Sequence, residues 1–156
     1  MLSQKAKYAL KALLVLAESG EDELLQAGEI AEQQNIPKKF LDLILLELRR
    51  HGLVDSRRGK KGGYLLGRPA DSIMIGDIVR VVDGPLAPIP CASVTAYRRC
   101  PDCRDERACA VRRIMREVRD AAAHILDHKS LADVAAEKPA KRTKTARSRR
   151  PLRKVA

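Results

Sequence analysis

The chain has 156 residues, 45% of them hydrophobic, which is enough for one folded domain whose core needs no disulfide bonds. Only 3% of the residues are aromatic and none is Trp, which argues against base stacking on aromatic side chains as the main mode of action. The net charge of +11 lies largely in residues 138–156, which hold nine Lys or Arg and no acid, so that 22 basic residues stand against 20 acidic ones in residues 1–137. No apolar run reaches about 18 residues, so we expect a cytoplasmic protein with no membrane span.

Apolar residues recur at helical spacing in the first third of the chain and predict three helices. The first covers residues 3–18, and the second covers residues 26–35 with Ile30 and Ala31 facing inward. The third runs from about Pro37 to Arg50, since proline suits the first turn of a helix. We expect this third helix to bury a stripe formed by Leu41, Ile44, Leu45 and Leu48.

The stretch GLVDSRRGKKGGYLLGRP, residues 52–69, predicts two short strands at 54–58 and 64–66 around a glycine- and lysine-rich turn. Its glycines raise the alternative of a phosphate-binding loop. The order of residues differs from GxxxxGK[ST], however, and a strand rather than a helix follows the glycines. We therefore expect a β-hairpin and no nucleotide site.

Two further helices and a tail follow. SIMIGDIVRVVDG, residues 72–84, predicts a fourth helix with Ile75, Ile78, Val79 and Val82 on one face. After a proline-rich break, a long fifth helix is expected from about Asp105 to Asp127, marked by Val111, Met115, Val118, Ala122 and Ile125. Ser130 and Asp133 fit a capping box that starts one more short turn. The basic tail lacks periodicity, so we expect it to be disordered and either to contact phosphates or to solubilise the protein.

The order helix, short helix, tight turn, helix and hairpin is that of a winged helix-turn-helix. In that motif the third helix enters the major groove, and its N-terminal residues, here Lys38, Lys39 and Asp42, reach the base edges. The hairpin tip carries basic residues that can contact phosphates or enter a narrow minor groove, namely Arg57, Arg58, Lys60 and Lys61. The alternative is a solvated, charged turn on an ordinary small domain. Basic residues at both contact points favour binding to double-stranded DNA.

The fifth helix is too long and too apolar to cover so small a domain alone. We expect it to pack against its copy in a second chain, giving a two-fold homodimer that reads a pseudo-palindromic operator. The fold class is therefore mainly α, a winged helix-turn-helix with a small β-hairpin wing and a long C-terminal dimerisation helix. The expected parts are a DNA-binding domain at 1–84, a cysteine-containing sensor loop at 85–109, a dimerisation helix at 105–135 and a basic disordered tail at 136–156.

Several stretches resemble one known family: KAKYALKALLVLA, GEIAEQQNIPKKFLDLILLELRRHGLVDSRRGKKGGYLLGRPADSIMIGDIVRVVDG and a later cysteine cluster. Over about residues 1–135, and most distinctively in RGxxGGYxLxRPxxxIxxGDI, the chain is similar to the Rrf-two family of bacterial transcription regulators. That family includes an iron–sulfur cluster assembly regulator, a nitric-oxide-sensing repressor and a rhizobial iron regulator. The resemblance implies a dimeric winged-helix regulator, often with a [2Fe–2S] or [4Fe–4S] cluster near the start of the dimerisation helix. It also implies that Arg58 contacts the DNA minor groove.

All four cysteines lie in CASVTAYRRCPDCRDERAC, residues 91–109, and several roles are open to them. Inert cysteines would be scattered, and a thioredoxin-like CPDC would need a βαβ context, which is absent. A reversible thiol switch stays open because nearby arginines favour thiolates, namely Arg98, Arg99, Arg104 and Arg107. Zinc also stays open, although structural zinc sites usually have two C-x₂-C pairs and this segment has one. An iron–sulfur cluster takes thiolates at irregular spacing and is the interpretation that we prefer.

The resemblance implies three cysteine ligands, the last two separated by five residues. Cys103 and Cys109 match that pair, and Cys91 matches the first by its place after the proline-rich loop. Cys100 is additional to the family pattern, and eleven residues separate Cys91 from Cys103, more than the family usually has.

The fourth ligand is not given by the resemblance. Arg112 stands where the cluster assembly regulator has a histidine, and Lys7 stands where the nitric-oxide sensor takes an acid from its partner; neither ligates iron. We hypothesise that Cys100 completes an all-thiolate site within one chain, and we expect His124 and His128 to be surface residues.

The sequence thus predicts a sequence-specific DNA-binding transcriptional regulator, expected to act as a repressor. Its DNA affinity would be controlled by a cysteine-ligated iron–sulfur cluster that senses iron, redox state or nitric oxide. The alternatives are a cluster-free thiol-redox or zinc-dependent regulator, and a general DNA-coating protein that binds through its tail. No nucleophile–base pair or pair of carboxylates stands in a marked motif, so we do not expect an enzyme.

Overall fold

The computed structural model describes residues 2–20, 22–59 and 61–137, so Lys60 and the predicted basic tail beyond residue 137 lie outside the described residues. Within these ranges, none of the helices has the length and apolar character needed to cross a membrane. The elements, in chain order, are α1 (Gln4–Glu18), α2 (Ala27–Gln34), α3 (Lys38–Arg50), β1 (Val54–Arg57), β2 (Gly63–Leu66), a first 3-10 turn (Ala70–Ser72), α4 (Ile75–Asp83), a second 3-10 turn (Pro90–Ala92), α5 (Ala110–Leu126) and α6 (Leu131–Ala136).

The first three helices enclose the core, as their apolar spacing predicts. Ser3 caps α1 by accepting a hydrogen bond from the Ala6 amide at 3.0 Å. The second helix ends at Asn35, whose left-handed backbone (φ +52°) makes the tight turn into α3. The third helix begins at Lys38, one residue later than predicted, and Pro37 is its N-cap. The predicted stripe of α3 is fully buried, at Leu41, Ile44, Leu45 and Leu48.

The two strands form the predicted antiparallel hairpin, with Val54 opposite Leu66 and Arg57 opposite Gly63. The hairpin is held to the body of the domain by a short bridge between Leu25 and Tyr64. In this bridge the Leu25 amide donates to the Tyr64 carbonyl at 3.0 Å, and the Tyr64 amide donates to the Leu25 carbonyl at 2.8 Å. The bridge lies in a segment without strand periodicity, and the sequence analysis did not predict it.

The fifth helix begins later than predicted, at Ala110 rather than at about Asp105. The carboxylate of Glu106 turns back to accept hydrogen bonds from the Cys100 amide at 2.9 Å and the Tyr97 hydroxyl at 2.5 Å. The residues before Ala110 therefore form a compact loop, and Cys109 is the N-cap of the helix. The prediction of a helix over residues 105–109 was wrong because this loop is closed by side-chain contacts that helical periodicity does not report.

After α5 the chain returns to the winged-helix core. The predicted capping box is present, with Ser130 and Asp133 bonded reciprocally at the start of α6. Leu131 is fully buried in the same core as α1 and α3, and its amide donates to the Ile73 carbonyl at 2.8 Å. By packing, α6 thus belongs with the DNA-binding unit, whereas the sequence analysis grouped residues 105–135 as one dimerisation helix.

Candidate nucleic-acid interface and cysteine site

The N-terminal end of α3 is the first of two basic surfaces. Lys38 and Lys39 are exposed there, as expected for residues that reach into a groove. The ammonium of Lys38 lies 3.2 Å from a carboxylate oxygen of Asp42, one helical turn away. The pair is solvent-exposed and so contributes little to stability. Its charges offset one another, so Lys39, which has no ion-pair partner among residues 2–20, 22–59 and 61–137, contributes a positive charge at this end of α3.

The exposed stripe of α3 also contains two leucines that the sequence analysis did not single out. Leu43 is 63% exposed and Leu46 is 40% exposed. They follow Lys39 at positions i+4 and i+7, and Arg50 follows at i+11, so the four side chains share one face of the helix. The signal was available in the sequence, since both leucines lie outside the buried stripe.

The hairpin is the second basic surface. Arg57, Arg58 and Lys61 are exposed around the turn, while Lys60 lies outside the described residues. A Cβ on Gly62 would lie 2.2 Å from the Arg57 carbonyl oxygen, so the turn closes as tightly as it does only with glycine at this position. The glycines therefore shape the wing, in agreement with the prediction of a hairpin in place of a phosphate-binding loop.

The four cysteines are free thiols among the described residues, and three of them lie in the loop just before α5, where the Cys103 amide donates to the Cys100 carbonyl at 3.4 Å and Cys109 is the N-cap of the helix. Hydrogen bonding with the thiols of Cys109 and Cys100 raises the pKa of the Cys103 thiol to about 12. The Arg112 amide, in the first turn of α5, donates to the Cys109 sulfur at 3.4 Å and lowers the pKa of that thiol. Cys100 is thus a member of the thiol group, as the all-thiolate hypothesis requires.

Cys91 is held separately, in the second 3-10 turn, where its side chain is buried. Two arginines of α5 fasten this turn to the helix. The Arg112 Nε donates to the Cys91 carbonyl at 2.9 Å, and the Arg119 guanidinium donates to the Ala92 carbonyl. Arg112 therefore ties the turn to α5, at the position where the related cluster assembly regulator has a ligand. Lys7, at the other position where the resemblance would place a fourth ligand, is exposed on α1.

The donor set suits an iron–sulfur cluster chemically, but the thiols do not surround a common point. Within residues 2–20, 22–59 and 61–137, no group of three or more His, Cys, Asp or Glu side chains is arranged to hold a metal ion. Beside Cys109 an open groove is lined by charged residues of both signs. Its arginines are Arg107, Arg112, Arg113 and Arg116, and its acids are Glu106, Glu117 and Asp120. His124 and His128 are exposed on α5 and after it, as expected for surface residues.

One face of α5 is apolar and exposed. No residue of α5 is buried, and four large apolar side chains are between 46% and 64% exposed, at Val111, Ile114, Val118 and Ile125. Their spacing of three, four and seven residues is that of a coiled-coil seam.

The far end of α5 is joined to α4 by a bidentate ion pair. The two terminal nitrogens of Arg80 each lie 2.7 Å from a carboxylate oxygen of Asp127, the C-cap of α5. The Arg80 guanidinium lowers the pKa of the Asp127 carboxyl, and the hydrogen bond to Asp127 raises the pKa of Arg80. The pair connects α5, the helix that follows the cysteine segment, with the winged-helix unit.

Four matches to known proteins agree with one another. The Rrf2 (Rrf-two) family model, described as an iron-dependent transcriptional regulator, matches residues 2–137. An rrf2-like HTH-type transcriptional regulator of Rhodobacter capsulatus is 45% identical over 139 residues, which cover 87% of this chain and 93% of that protein. The structure of CymR, the global cysteine regulator of B. subtilis, superposes with a TM-score of 0.74 at 32% identity, covering 89% of this chain and 98% of CymR. An IscR from T. potens superposes with a TM-score of 0.68 at 28% identity, covering 86% of this chain and 85% of that one.

The sequence matches, the mainly helical fold and the two-stranded wing agree with the resemblance that the sequence analysis identified. They confirm the winged-helix fold class and the prediction of a DNA-binding regulator in place of an enzyme. The chain belongs to the Rrf2 family of transcriptional regulators.

Proposed function

We propose that this protein is a homodimeric, sequence-specific repressor whose affinity for its operator is controlled by an iron–sulfur cluster, [2Fe–2S] or [4Fe–4S], held by its cysteines. The observation that carries the proposal is that Cys100, Cys103 and Cys109 lie in one compact loop at the start of α5, where the Cys103 amide donates to the Cys100 carbonyl at 3.4 Å and Cys109 is the N-cap of the helix. Cys91 lies in a turn fastened to the same helix. Four thiolates are the ligand set that such a cluster takes.

DNA would be contacted through two surfaces. Lys38, Lys39 and Asp42 would enter the major groove with α3, and the exposed wing residues Arg57, Arg58 and Lys61 would contact phosphates or the minor groove. Lys60, at the same tip, is proposed from the sequence alone. A basic surface on each of two elements supports specific binding better than it supports coating of DNA by the tail.

The apolar face of α5 supports the homodimer. Val111, Ile114, Val118 and Ile125 would pack against the same residues of a second copy, since a two-fold axis brings one surface patch against itself. Burying apolar surface stabilises by roughly 25 cal/mol per Å², so covering this seam on two helices favours association of two copies. The two α3 helices of the dimer would then face half-sites one helical turn apart.

Control of DNA binding would pass through contacts that α5 makes within one chain. A bound cluster supplies a centre that responds to oxidation, nitric oxide or loss of iron. Arg112 and Arg119 hold the Cys91 turn on α5, and Arg80 with Asp127 holds the other end of α5 on α4. A change in the contacts that hold the cysteine segment would therefore alter the spacing of the two α3 helices in the dimer. A coupling free energy of about 1–3 kcal/mol is typical of such linked sites.

Cys100 is proposed as the fourth ligand beside Cys91, Cys103 and Cys109. The Cys103 amide donates to the Cys100 carbonyl at 3.4 Å, which keeps the two residues together, whereas Arg112 is occupied by backbone carbonyls. We expect Cys100→Ser to lose the visible absorption of the cluster, and Thr95→Ala, a change in the same loop, to keep it. A normal cluster spectrum and cluster lifetime in Cys100→Ser would show that Cys100 is not a ligand.

A second candidate function is a cluster-free thiol switch. The position of Cys100, Cys103 and Cys109 in one compact loop favours it, because neighbouring thiols can be joined by oxidation. The similarity to CymR, a global cysteine regulator, favours it as well. A zinc-bound form would use the same thiolates.

Purification of the full-length protein without oxygen distinguishes these candidates. The proposal predicts visible absorption from sulfur-to-iron charge transfer, with iron and acid-labile sulfide present in equal amounts. Zinc without sulfide would identify a zinc-dependent regulator, and metal-free protein that gains a disulfide on oxidation would identify a thiol switch. For a general DNA-coating protein, removal of residues 138–156 would abolish DNA binding rather than only lessen its salt dependence.

A further inference from the structure

The DNA-facing side of α3 is apolar at its centre. Its exposed stripe runs Lys39, Leu43, Leu46 and Arg50, and Leu43 leaves 63% of its surface in solvent. The core does not need either leucine, because the four buried side chains of α3 lie on the opposite face. A single exposed leucine is ordinary on a protein surface. Here two exposed leucines lie in line between basic residues, on the helix that a winged helix-turn-helix inserts into DNA. They are therefore positioned for contact with a ligand.

The occupant that fits this stripe is the major groove of double-stranded DNA. The lysine and arginine at the ends of the stripe match phosphates, and an α-helix fits the width of the groove. A leucine side chain offers neither a hydrogen-bond donor nor an acceptor. In the major groove of unmodified DNA the one apolar group on a base edge is the C5 methyl of thymine.

We propose that Leu43 is a specificity-determining residue, which packs against a thymine methyl in each half-site of the operator. The inference rests on the proposed DNA binding and adds that one position of each operator half-site prefers thymine. Leu43 is the sixth residue of α3, near the end that enters the groove, whereas Leu46 lies almost one turn further along. Leu43 therefore reaches the base edges, and Leu46 faces the backbone at the groove edge.

The test compares bases that differ only by the methyl group. The operator is first selected from random duplexes with the wild-type, full-length protein. Each conserved thymine under α3 is then replaced by uracil, which keeps every hydrogen-bonding group and lacks the methyl. We expect wild-type affinity to fall about fourfold per half-site at the contacted position, which corresponds to about 0.8 kcal/mol for one buried methyl group.

Two matched variants then assign the contact. Leu43→Ala should bind the thymine and uracil operators equally, while Leu46→Ala should keep the fourfold preference. Both changes are at exposed positions, so unchanged thermal unfolding is expected and verifies that the comparison is between folded proteins. Cytosine at the contacted position should weaken wild-type binding, and 5-methylcytosine should recover part of the loss.

The outcomes separate this inference from the function on which it rests. If the wild type selects an operator but shows no preference for thymine over uracil at any position, Leu43 does not read a methyl group and DNA binding still stands. If Leu46→Ala loses the preference and Leu43→Ala keeps it, the assignment to Leu43 is overturned. If no duplex is selected over random DNA, the proposed function and this inference fail together.

Discussion

Replacing Gly76 by alanine should expose the ion pair that joins α4 to α5. Gly76 is buried at the start of α4, and a Cβ there would lie 2.0 Å from the Asp127 Oδ1 and 2.9 Å from the Arg80 Nη1. The carboxylate belongs to a short side chain, so it cannot move away and keep both 2.7 Å hydrogen bonds to Arg80. Gly76→Ala should therefore break the pair.

The size of the effect follows from two opposing contributions. Alanine is better than glycine in a helix by up to about 1 kcal/mol. Arg80 and Asp127 are each about one-third exposed, so solvent screening limits their bidentate pair to about 1 kcal/mol. In the wild-type background these contributions nearly cancel, and the net change in the free energy of unfolding should be within about 0.5 kcal/mol of zero.

A double-mutant cycle separates the two contributions. In an Asp127→Ala background neither the pair nor its carboxylate remains, so Gly76→Ala should stabilise the protein by up to about 1 kcal/mol. The free energies of unfolding are measured with urea on the reduced, cluster-free, full-length protein. The difference between backgrounds should be about 1 kcal/mol. Equal stabilisation by Gly76→Ala in both backgrounds would refute the packing of Asp127 against Gly76.

Three further predictions concern the wing turn, the contact of Arg112 with the second 3-10 turn, and the pH dependence of the Arg80–Asp127 pair. Gly62→Ala should weaken operator binding about tenfold, because a β1 carbonyl oxygen 2.2 Å from the new Cβ must move and carry the wing arginines with it. Gly28→Ala, where a Cβ meets nothing within 4 Å, serves as the control. Equal operator affinities of the two variants would contradict the explanation. Arg112→Ala should speed amide exchange in residues 90–100 about tenfold by releasing the second 3-10 turn from α5, and unchanged exchange would exclude this role. Because Arg80 lowers the pKa of Asp127 in the folded state, the stability that the pair contributes is complete above the ordinary aspartate pKa of about 4 and is lost as the pH falls through the lower, folded-state pKa. The difference in urea stability between wild type and Asp127→Asn should accordingly be present at pH 7 and shrink as the pH falls through the lowered pKa of Asp127, and a difference independent of pH would contradict this.

The helices and the hairpin could be predicted because their patterns are local. The stripe that includes Leu41 and Leu48 repeats with the period of a helix, and glycines around a basic turn between two apolar runs indicate a hairpin. The same patterns predicted the capping box at Ser130. Tertiary contacts were not predictable in this way. The bridge of Leu25 to the wing and the burial of Leu131 depend on segments that are distant in the sequence.

The cysteine site could be predicted in composition but not in arrangement. Clustering indicated a ligand or redox role, and the resemblance to the family favoured Cys91, Cys103 and Cys109 over Cys100. In the structure Cys100 is among the three grouped thiols, whereas Cys91 lies in a separate turn. The reason is the carboxylate of Glu106, which binds the Cys100 amide and closes the loop before α5. Nothing in the spacing of the cysteines reports that contact.

The glycine of the IGDI sequence gains an explanation that a motif alone does not provide. Gly76 lies where the C-cap of α5 approaches α4, so this glycine leaves room for the Asp127 carboxylate and its ion pair with Arg80. Arg112 is a similar case. Its place in the sequence suggested only a missing ligand, and its bonds to two backbone carbonyls give it a structural role.

The central claim is that the state of the cysteine site sets the affinity for DNA. The most direct test measures operator affinity for the cluster-loaded and cluster-free forms of the full-length protein, without oxygen and at one fixed salt concentration, because salt alone changes such affinities strongly. A coupling free energy of about 1–3 kcal/mol predicts that the two affinities differ by roughly 5- to 150-fold. Affinities that agree within about twofold would correspond to less than about 0.5 kcal/mol of coupling and would contradict the account.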